Sequence, residues 1–407
     1  MLCIMRPFCG PIPLMRRTAR QVPKVKNSSR AIRHDTLRHA PTWNAKPMTG
    51  LKAALRTQHG ILATFGVALI ASVAAASLNL LQAQGMPSMT KKDTVAGMSQ
   101  ERHMRDLMGA PLPFGIMIGQ SQQWMVGYQG MYESLGGLLD GTRHISNADE
   151  LTRYQTAPTN MTMKMHMGML MYAPRAGFTL MAMLPYTAMS MGELHRDGTS
   201  ATEHSSGIGD LELRGLYSVY AAPSLRHRVL VTFGVGIPTG SVNERDAEGA
   251  RLEYPMQPGS GTFSLLPGLM YLGQIMPWSW GAETVATARV GRNEHDYRMG
   301  NRYDTRMWLA RRLTSLVSFS VSAVGESLGN IRGSDPSLDP LDEPAKDPSL
   351  QGGTRVDALL GIIIHPANGI FKGQQFLVEG DAPFIQSLDG PQLKRRYMLH
   401  AALQWAF

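Results

Sequence analysis

Cysteine is almost absent from this chain of 407 residues, and charged residues are few. The only two cysteines, Cys3 and Cys9, lie near the amino terminus. The rest of the chain can therefore form neither a disulfide nor a cysteine-ligated zinc site. Charged residues make up 17% of the sequence, whereas average globular proteins carry roughly 25%. This shortage of charge argues against a soluble enzyme of this size.

Long apolar runs are equally scarce. A membrane protein built from several helices needs several runs of about 20 apolar residues, and only residues 61–81 qualify. This excludes a polytopic helical membrane protein.

The basic excess is confined to one end of the chain. Residues 1–47 hold ten Lys or Arg and a single acid, Asp35, which accounts for the whole net charge of +9. From residue 86 onward, 28 basic residues are balanced by 30 acidic ones. The positive charge consequently gives no reason to expect a nucleic-acid partner.

Residues 48–85 have the layout of a secretory signal peptide. Lys52 and Arg56 precede an apolar stretch over residues 61–76, and the small residues Ala83 and Gly85 follow it. A single membrane anchor is the alternative, because the apolar stretch is long for a signal. We interpret residues 1–47 as the product of a start codon placed too far upstream, and a long basic leader is the alternative. Residues 86–119 are expected to form a periplasmic segment, and residues 120–407 the folded body.

The body alternates between apolar and polar residues with a period of two, as strands with two different faces do. Residues 317–323, for example, alternate between apolar residues and serine. Twelve such runs follow one another: 120–133, 161–173, 178–191, 208–222, 228–238, 261–272, 279–292, 303–313, 316–327, 353–364, 374–384 and 395–407. The connections alternate between long and short, and the long connection 328–352 is expected to be an exposed extracellular loop.

An even number of strands joined alternately by long loops and tight turns is typical of bacterial outer-membrane barrels. The sequence therefore predicts an all-β fold, a transmembrane antiparallel up-and-down β-barrel of about twelve strands with both termini in the periplasm. A soluble β-sandwich also has alternating strands and is the alternative. Several predicted strands exceed the usual length of about five to six residues, which favours the barrel.

The last predicted strand ends the chain with large apolar residues on one face. They are Tyr397, Leu399, Leu403, Trp405 and the carboxyl-terminal Phe407. An amphipathic final strand ending in Phe resembles the signal read by the bacterial outer-membrane assembly machinery. The expected partners are therefore this machinery and the lipids of the outer membrane.

Several motifs together resemble a known family. They are Met161–Pro174, Leu180–Tyr186, Gly207–Leu211, Ile237–Gly240 and Tyr254–Thr262. Over residues 109–407 the chain is similar to the outer-membrane family named after the meta-cleavage pathway of phenol degradation, whose members are described as transporters. The resemblance implies a barrel that handles small, often aromatic solutes, and some branches accompany copper-handling genes. The Gly-Asp-His-x-His element expected in that copper branch is replaced here by residues 119–124, which contain no histidine.

Methionine is the abundant residue, with 28 copies. Six occupy alternate positions between Met161 and Met171, so they share one face of a predicted strand. Closing a hairpin at residues 174–177 places Met169 beside Met181 and Met167 beside Met183. With this face inward, the predicted solute pathway consists of Met125, Met131, Met163, Met165, Met167, Met169, Met181 and Met183. The opposite orientation stays open, because the inward one turns Lys164 and His166 toward lipid.

Two chemistries suit such a wall. Flexible thioethers form an adaptable apolar surface for a hydrophobic or aromatic solute, and they are also soft ligands for Cu(I) or Ag(I). In the metal alternative the ligands are Met163, Met165, Met167 and Met183. An inert, packed lumen is the third possibility. No cofactor and no catalytic residue is predicted. An outer-membrane lipase is the remaining alternative, and the His-x-Ser-Asn-Gly-like element that would mark it is not expected in this sequence.

Overall fold

The computed structural model describes residues 121–223, 226–366 and 368–407, and the predicted leader, signal peptide and periplasmic segment lie outside them. Fourteen strands form one sheet in this part of the chain. They are β1 (Gln123–Gly141), β2 (Arg143–Ile145), β3 (Thr156–Arg175), β4 (Phe178–His195), β5 (Ser200–Ile208), β6 (Leu211–Ala221), β7 (His227–Ile237), β8 (Phe263–Leu265), β9 (Gly268–Ile275), β10 (Trp278–Val290), β11 (Arg302–Arg312), β12 (Val317–Leu328), β13 (Gly353–Ile364) and β14 (Gln374–Ala406).

Helical structure is minor in the described residues. A four-residue helix, α1 (Asn147–Glu150), follows β2. Single 3₁₀ turns occupy Tyr254–Met256, Pro344–Lys346 and Pro348–Leu350. Among the described residues, none of the helices has the length and apolar character needed to cross a membrane.

The sheet closes into an antiparallel barrel. Eleven strands form the ring, in which β1 pairs with both β3 and β14, while β2, β5 and β8 are additional pieces. The last strand folds back on itself: residues 376–388 pair with β13, and residues 392–406 pair with β1. The Gln386 side chain spans this fold, bonding the backbone N and O of Arg395 at 2.9 and 3.0 Å. Because β14 contributes two segments, the wall of the barrel consists of twelve strand segments, as predicted.

The alternating sequence gives the barrel an apolar outside and, on β12, a polar inner face. On β12, Ser320 is fully buried whereas the neighbouring Val321 is 48% exposed. Successive side chains of a strand point to opposite faces, so the serines face the lumen and the apolar residues face outward. Phe233 of β7 and Leu360 of β13 are likewise exposed on the outer surface. This pattern confirms the all-β barrel predicted from the sequence.

Several strands extend beyond the length needed to cross a membrane. β1, β3 and β4 have 19, 20 and 18 residues, whereas about 9–11 residues suffice for a tilted strand. β5 and β6 both pair with β4, one beyond the other, and the break between them lies at Gly209 and Asp210. The predicted runs 120–133 and 178–191 were therefore too short. The residues missed, 134–141 and 192–195, include glycines and charged residues that interrupt the alternation although backbone pairing continues.

Three long loops pack against one another at the end of the barrel opposite the tight turns. They comprise residues 238–262, 291–301 and 329–352, and we name them the loop cap. The Tyr254 ring packs edge-on against Tyr297, with centroids 4.9 Å apart, and the Asp335 N–H donates to the Tyr254 hydroxyl at 3.0 Å. A buried ion pair joins Arg251 to Asp335 at 2.5 Å. The expectation of an exposed loop over residues 328–352 therefore holds only in part, because Leu341 is 76% exposed whereas Asp335 and Leu338 are buried against other loops.

Candidate functional site

The methionine run of β3 lies on its inward face. Met171 is 1% exposed and the adjacent Leu170 is 44% exposed, and the same alternation runs along the strand. Lys164 and His166 consequently lie on the outer surface. There the Tyr128 hydroxyl and the His166 Nδ1 are hydrogen-bonded at 2.6 Å, which gives this outward histidine a polar partner.

Methionines of β3 and β4 stand opposite each other across the hairpin. Met163 opposes Met189, Met169 opposes Met183, and Met171 opposes Met181. The pairing of Met169 with Met181 predicted from the sequence is therefore displaced by two residues, as is that of Met167 with Met183. The cause is an irregularity between Tyr172 and Arg175, beyond which the hairpin closes through a tighter turn at residues 176 and 177. A shift of two residues leaves every side chain on its predicted face.

The lumen near the tight turns is filled by what we call the lower apolar cluster. Its buried members come from seven strands: Met125, Met169, Met171, Ala173, Met181, Met183, Leu216, Leu230, Met270, Leu272 and Trp308. Met167 and Ala406 pack against it. Trp308 is the one aromatic member, and it lies over Gly281, where a Cβ atom would overlap its ring.

A second group, the upper apolar cluster, lies at the loop-cap end. It contains Leu138, Met161, Met189, Met191, Leu252, Met256 and Leu393, with Met163 packed against it. Leu252 and Met256 belong to the loop cap, and the Ser205 hydroxyl donates to the Met256 carbonyl at 2.6 Å. The methionine run of β3 therefore leads from the upper cluster to the lower one.

Between the two clusters the methionines are only partly covered. Met165 and Met131, which oppose each other on β3 and β1, are half-buried. On β4 the neighbours of this central stretch are not methionines, since Thr187 opposes Met165 and Pro185 opposes Met167. Of the four ligands of the metal alternative, Met167 and Met183 accordingly lie with the lower cluster and Met163 with the upper one.

The opposite wall of the lumen carries buried ion pairs. Arg395 Nε lies 2.6 Å from Glu133, and its Nη1 lies 2.5 Å from Asp357. Arg306 Nη2 contacts both oxygens of Glu379 at 2.6 and 2.8 Å. Thioethers thus gather on β3 and β4, whereas the charges of these ion pairs lie on β11, β13, β14 and, at Glu133, on β1.

Three of the family-like motifs converge on one carboxylate. Asp210 accepts hydrogen bonds from the Gly240 N–H at 3.1 Å and from the N–H and hydroxyl of Ser260 at 3.1 and 2.5 Å. Gly240 and Gly259 pass so closely that a Cβ on either would overlap the backbone of the other. These glycines and Asp210 therefore anchor the loop of residues 238–262 to the break between β5 and β6. They hold the cap in place.

Four glutamates gather beneath the loop cap. The carboxylate oxygens of Glu193, Glu203 and Glu253 lie within 4.8 Å of one another, and Lys346 Nζ lies 3.8 Å from Glu253 and 3.9 Å from Glu343. Burial, and then the charge of Glu193, raise the pKa of the Glu253 carboxyl. Burial, and then the charge of Glu253, raise the pKa of the Glu343 carboxyl well above its ordinary value. No sequence pattern predicts this cluster, because its members come from separate loops and strands with no characteristic spacing.

The expectation that the sequence lacks a lipase-like element needs correction, because one segment comes close to it. His144–Ala148 matches the pattern except for alanine in place of the final glycine. Ser146 caps α1: its hydroxyl donates to the Asp149 carboxylate at 2.8 Å and accepts from the Asp149 N–H at 3.1 Å. The hydroxyl is therefore engaged as a helix cap.

The final strand closes the barrel with the face predicted for an assembly signal. Tyr397, Leu399, Leu403, Trp405 and Phe407 are all exposed. The backbone of Phe407 is paired in both directions with Trp124, at 2.9 and 3.0 Å. The carboxyl-terminal residue thus joins the last strand to the first.

Comparisons with known proteins agree with this geometry. Among solved structures, the fold is similar to that of an outer membrane channel from Pseudomonas putida F1, with a TM-score of 0.52, 11% identity, and coverage of 71% of this chain and 96% of that chain. A FadL homologue from Pseudomonas aeruginosa has a TM-score of 0.33 and 10% identity over 70% of this chain and 89% of its own. No curated protein sequence matches the chain. Residues 156–341 match the family described as "Putative MetA-pathway of phenol degradation". This match confirms the family resemblance expected from the sequence, and the structure confirms the barrel fold.

Proposed function

We propose that this barrel is an outer-membrane passage for small apolar or aromatic solutes, without a catalytic role. The observation that carries the proposal is the methionine run of β3, which leads from the upper apolar cluster to the lower one. Four of the residues predicted to line the pathway, on β1, β3 and β4, are buried and inward-facing. They are Met125, Met169, Met181 and Met183. The matching family, described by a pathway of phenol degradation, supports an aromatic solute.

Methionine suits a moving apolar solute for physical reasons. Its side chain is unbranched, flexible and polarizable, and its sulfur makes favourable contacts with aromatic rings. A solute can therefore exchange contacts from one methionine to the next without losing hydrogen bonds. The charges of Arg306 and Glu379 in the lumen are paired with each other, so they do not require the solute to carry a compensating charge.

Handling of Cu(I) or Ag(I) is the second candidate, because opposing methionines such as Met163 and Met189 bring thioethers to neighbouring positions. The surroundings favour the apolar solute. In the lower cluster the methionines are interleaved with Leu216, Leu230 and Trp308, none of which can bind a metal ion.

Replacing Met163, Met165, Met167 and Met183 together with leucine distinguishes the two candidates. Leucine keeps nearly the same volume, and such exchanges usually cost less than about 1.5 kcal/mol each. Uptake of radiolabelled toluene by cells carrying the variant should remain close to that of the wild type, because the surface stays apolar. Binding of Ag(I) by the purified barrel, measured by titration calorimetry, should not differ between the two proteins.

A clear loss of Ag(I) binding and of silver tolerance, with toluene uptake unchanged, would instead assign the wall to soft metals. The matched control replaces the outward Leu170, Leu180 and Leu184 with methionine, which alters thioether content on the lipid side only. This control should change neither uptake nor metal binding.

We also propose that both termini face the periplasm and that the final strand carries the assembly signal. The described chain starts and ends at the barrel end that carries the tight turns, such as the one between β3 and β4, and bacterial barrels place their short turns in the periplasm. Removing Phe407 deletes a terminal aromatic residue and both backbone hydrogen bonds to Trp124.

The deletion should lower the fraction of protein that shows heat-modifiable gel mobility in isolated outer membranes. Phe407→Trp keeps the backbone pairing and an aromatic terminus, so it should assemble like the wild type. Full assembly of the deletion variant would refute the assembly role of this residue.

A further inference from the structure

The four glutamates beneath the loop cap are not explained by solute passage. Glu193 lies on β4 and Glu203 on β5, whereas Glu253 and Glu343 belong to two loops of the cap. Glu193 and Glu253 are 5% and 1% exposed, and Glu343 is fully buried. Buried carboxylates are costly unless they are paired or coordinate a metal ion.

Their hydrogen bonding is incomplete. One buried carboxylate oxygen on each of Glu193, Glu203 and Glu253 has no hydrogen-bond partner in the structure, and neither oxygen of Glu343 has one. The nearby cation is Lys346, whose Nζ lies closest to a different acid, Asp342, at 2.6 Å. One ammonium group thus serves several carboxyl groups, and acceptor oxygens in the site remain without a hydrogen-bond partner.

The spacing of these oxygens fits a single cation. Calcium binds carboxylate oxygens at about 2.3–2.6 Å, so two oxygens on one ion lie at most about 4.6–5.2 Å apart. The carboxylate oxygens of Glu193, Glu203 and Glu253 satisfy this limit, since all lie within 4.8 Å of one another. Their ligand atoms are all oxygen, which selects a hard cation over the softer transition metals.

We propose that Glu193, Glu203 and Glu253 bind Ca²⁺, and that the ion fastens the loop cap to the extended hairpin of β4 and β5. The ion would supply the positive charge that Lys346 alone does not provide. The carboxyl group of Glu343, which lies 3.9 Å from Lys346 Nζ, would add negative charge near the ion. This site is separate from the methionine run, so it does not depend on the identity of the solute.

The test uses the full chain, purified in detergent, freed of divalent ions with a chelator, and titrated with CaCl₂ in a calorimeter. The wild type should bind one Ca²⁺ per barrel. Glu253→Gln should weaken binding by about tenfold or more, because the affinity of such sites depends on the number of charged ligands. Glu248→Gln is the matched control, since Glu248 is exposed in the same loop, and its affinity should equal that of the wild type.

A second readout follows the loop cap itself. Ca²⁺ should slow cleavage of residues 238–262 by added protease in the wild type and in Glu248→Gln, and should not do so in Glu253→Gln. If Glu253→Gln does not assemble, the partly exposed Glu203→Gln takes its place. Absence of binding by the wild type at millimolar Ca²⁺, or equal binding by wild type and both ligand variants, would overturn the proposal.

Discussion

Replacing Trp308 with alanine should turn the barrel into an ion-conducting pore. Trp308 is the largest member of the lower apolar cluster and is 4% exposed. Its ring lies over Gly281 and packs with methionines and leucines that fill the lumen near the tight turns. Truncating a buried tryptophan costs about 3–5 kcal/mol and leaves a cavity. At this position the cavity would join the polar part of the lumen to the barrel end that carries the tight turns.

Single-channel recording in planar bilayers measures this effect. The wild type should show no resolved current steps, and Trp308→Ala should show discrete ones. Trp278→Ala is the matched control, because Trp278 lies on the outer surface of β10, where Arg311 stacks over it at 5.3 Å. Identical recordings from wild type and Trp308→Ala, with heat-modifiable mobility intact in both, would show that the lower cluster does not close the lumen.

Arg395→Leu should strongly lower the stability of the folded barrel against thermal unfolding. Arg395 pairs with both Glu133 and Asp357, and all three side chains are at most 7% exposed. Removing one partner of a buried ion pair typically costs about 3–5 kcal/mol, because it leaves charges buried without compensation. In this variant two carboxylates would be left unpaired on the wall of the lumen.

The loss is measured as the temperature at which the folded gel band converts to the unfolded one. Arg395→Leu should convert at a clearly lower temperature than the wild type. Arg143→Leu removes an arginine whose pair with Asp140 is largely exposed, and such pairs contribute about 0–1 kcal/mol, so its transition should hardly move. Equal transitions for the two variants would contradict a structural role for the buried network.

The sequence was sufficient for the barrel and for the two faces of its strands. The alternation of side chains between two faces is a local property of a strand, and it survives a register shift of two residues. The inward position of Met169 and Met171 was therefore predicted. Their partners on β4 were not. The exact partners depend on the turn after Tyr172, whose irregularity has no clear signal in residues 173–177.

The loop cap and the glutamate cluster could not be predicted in the same way. Asp335 is buried because Arg251 and Tyr254, some 80 residues earlier in the chain, contact it. Polar loop sequences look exposed when each is considered alone, and only tertiary contacts bury them. The same holds for Glu193 and Glu253, whose proximity follows from the cap folding over the extended hairpin.

The most direct test of the central claim compares two solutes of similar size entering intact cells, one apolar and one hydrophilic. A lipopolysaccharide-containing outer membrane is needed, because small aromatic molecules cross phospholipid vesicles unaided. Initial uptake of radiolabelled toluene should rise with the amount of this barrel in the membrane, and uptake of radiolabelled arabinose should not. Faster arabinose entry with unchanged toluene entry would show a water-filled pore and would contradict a methionine-lined passage for apolar solutes.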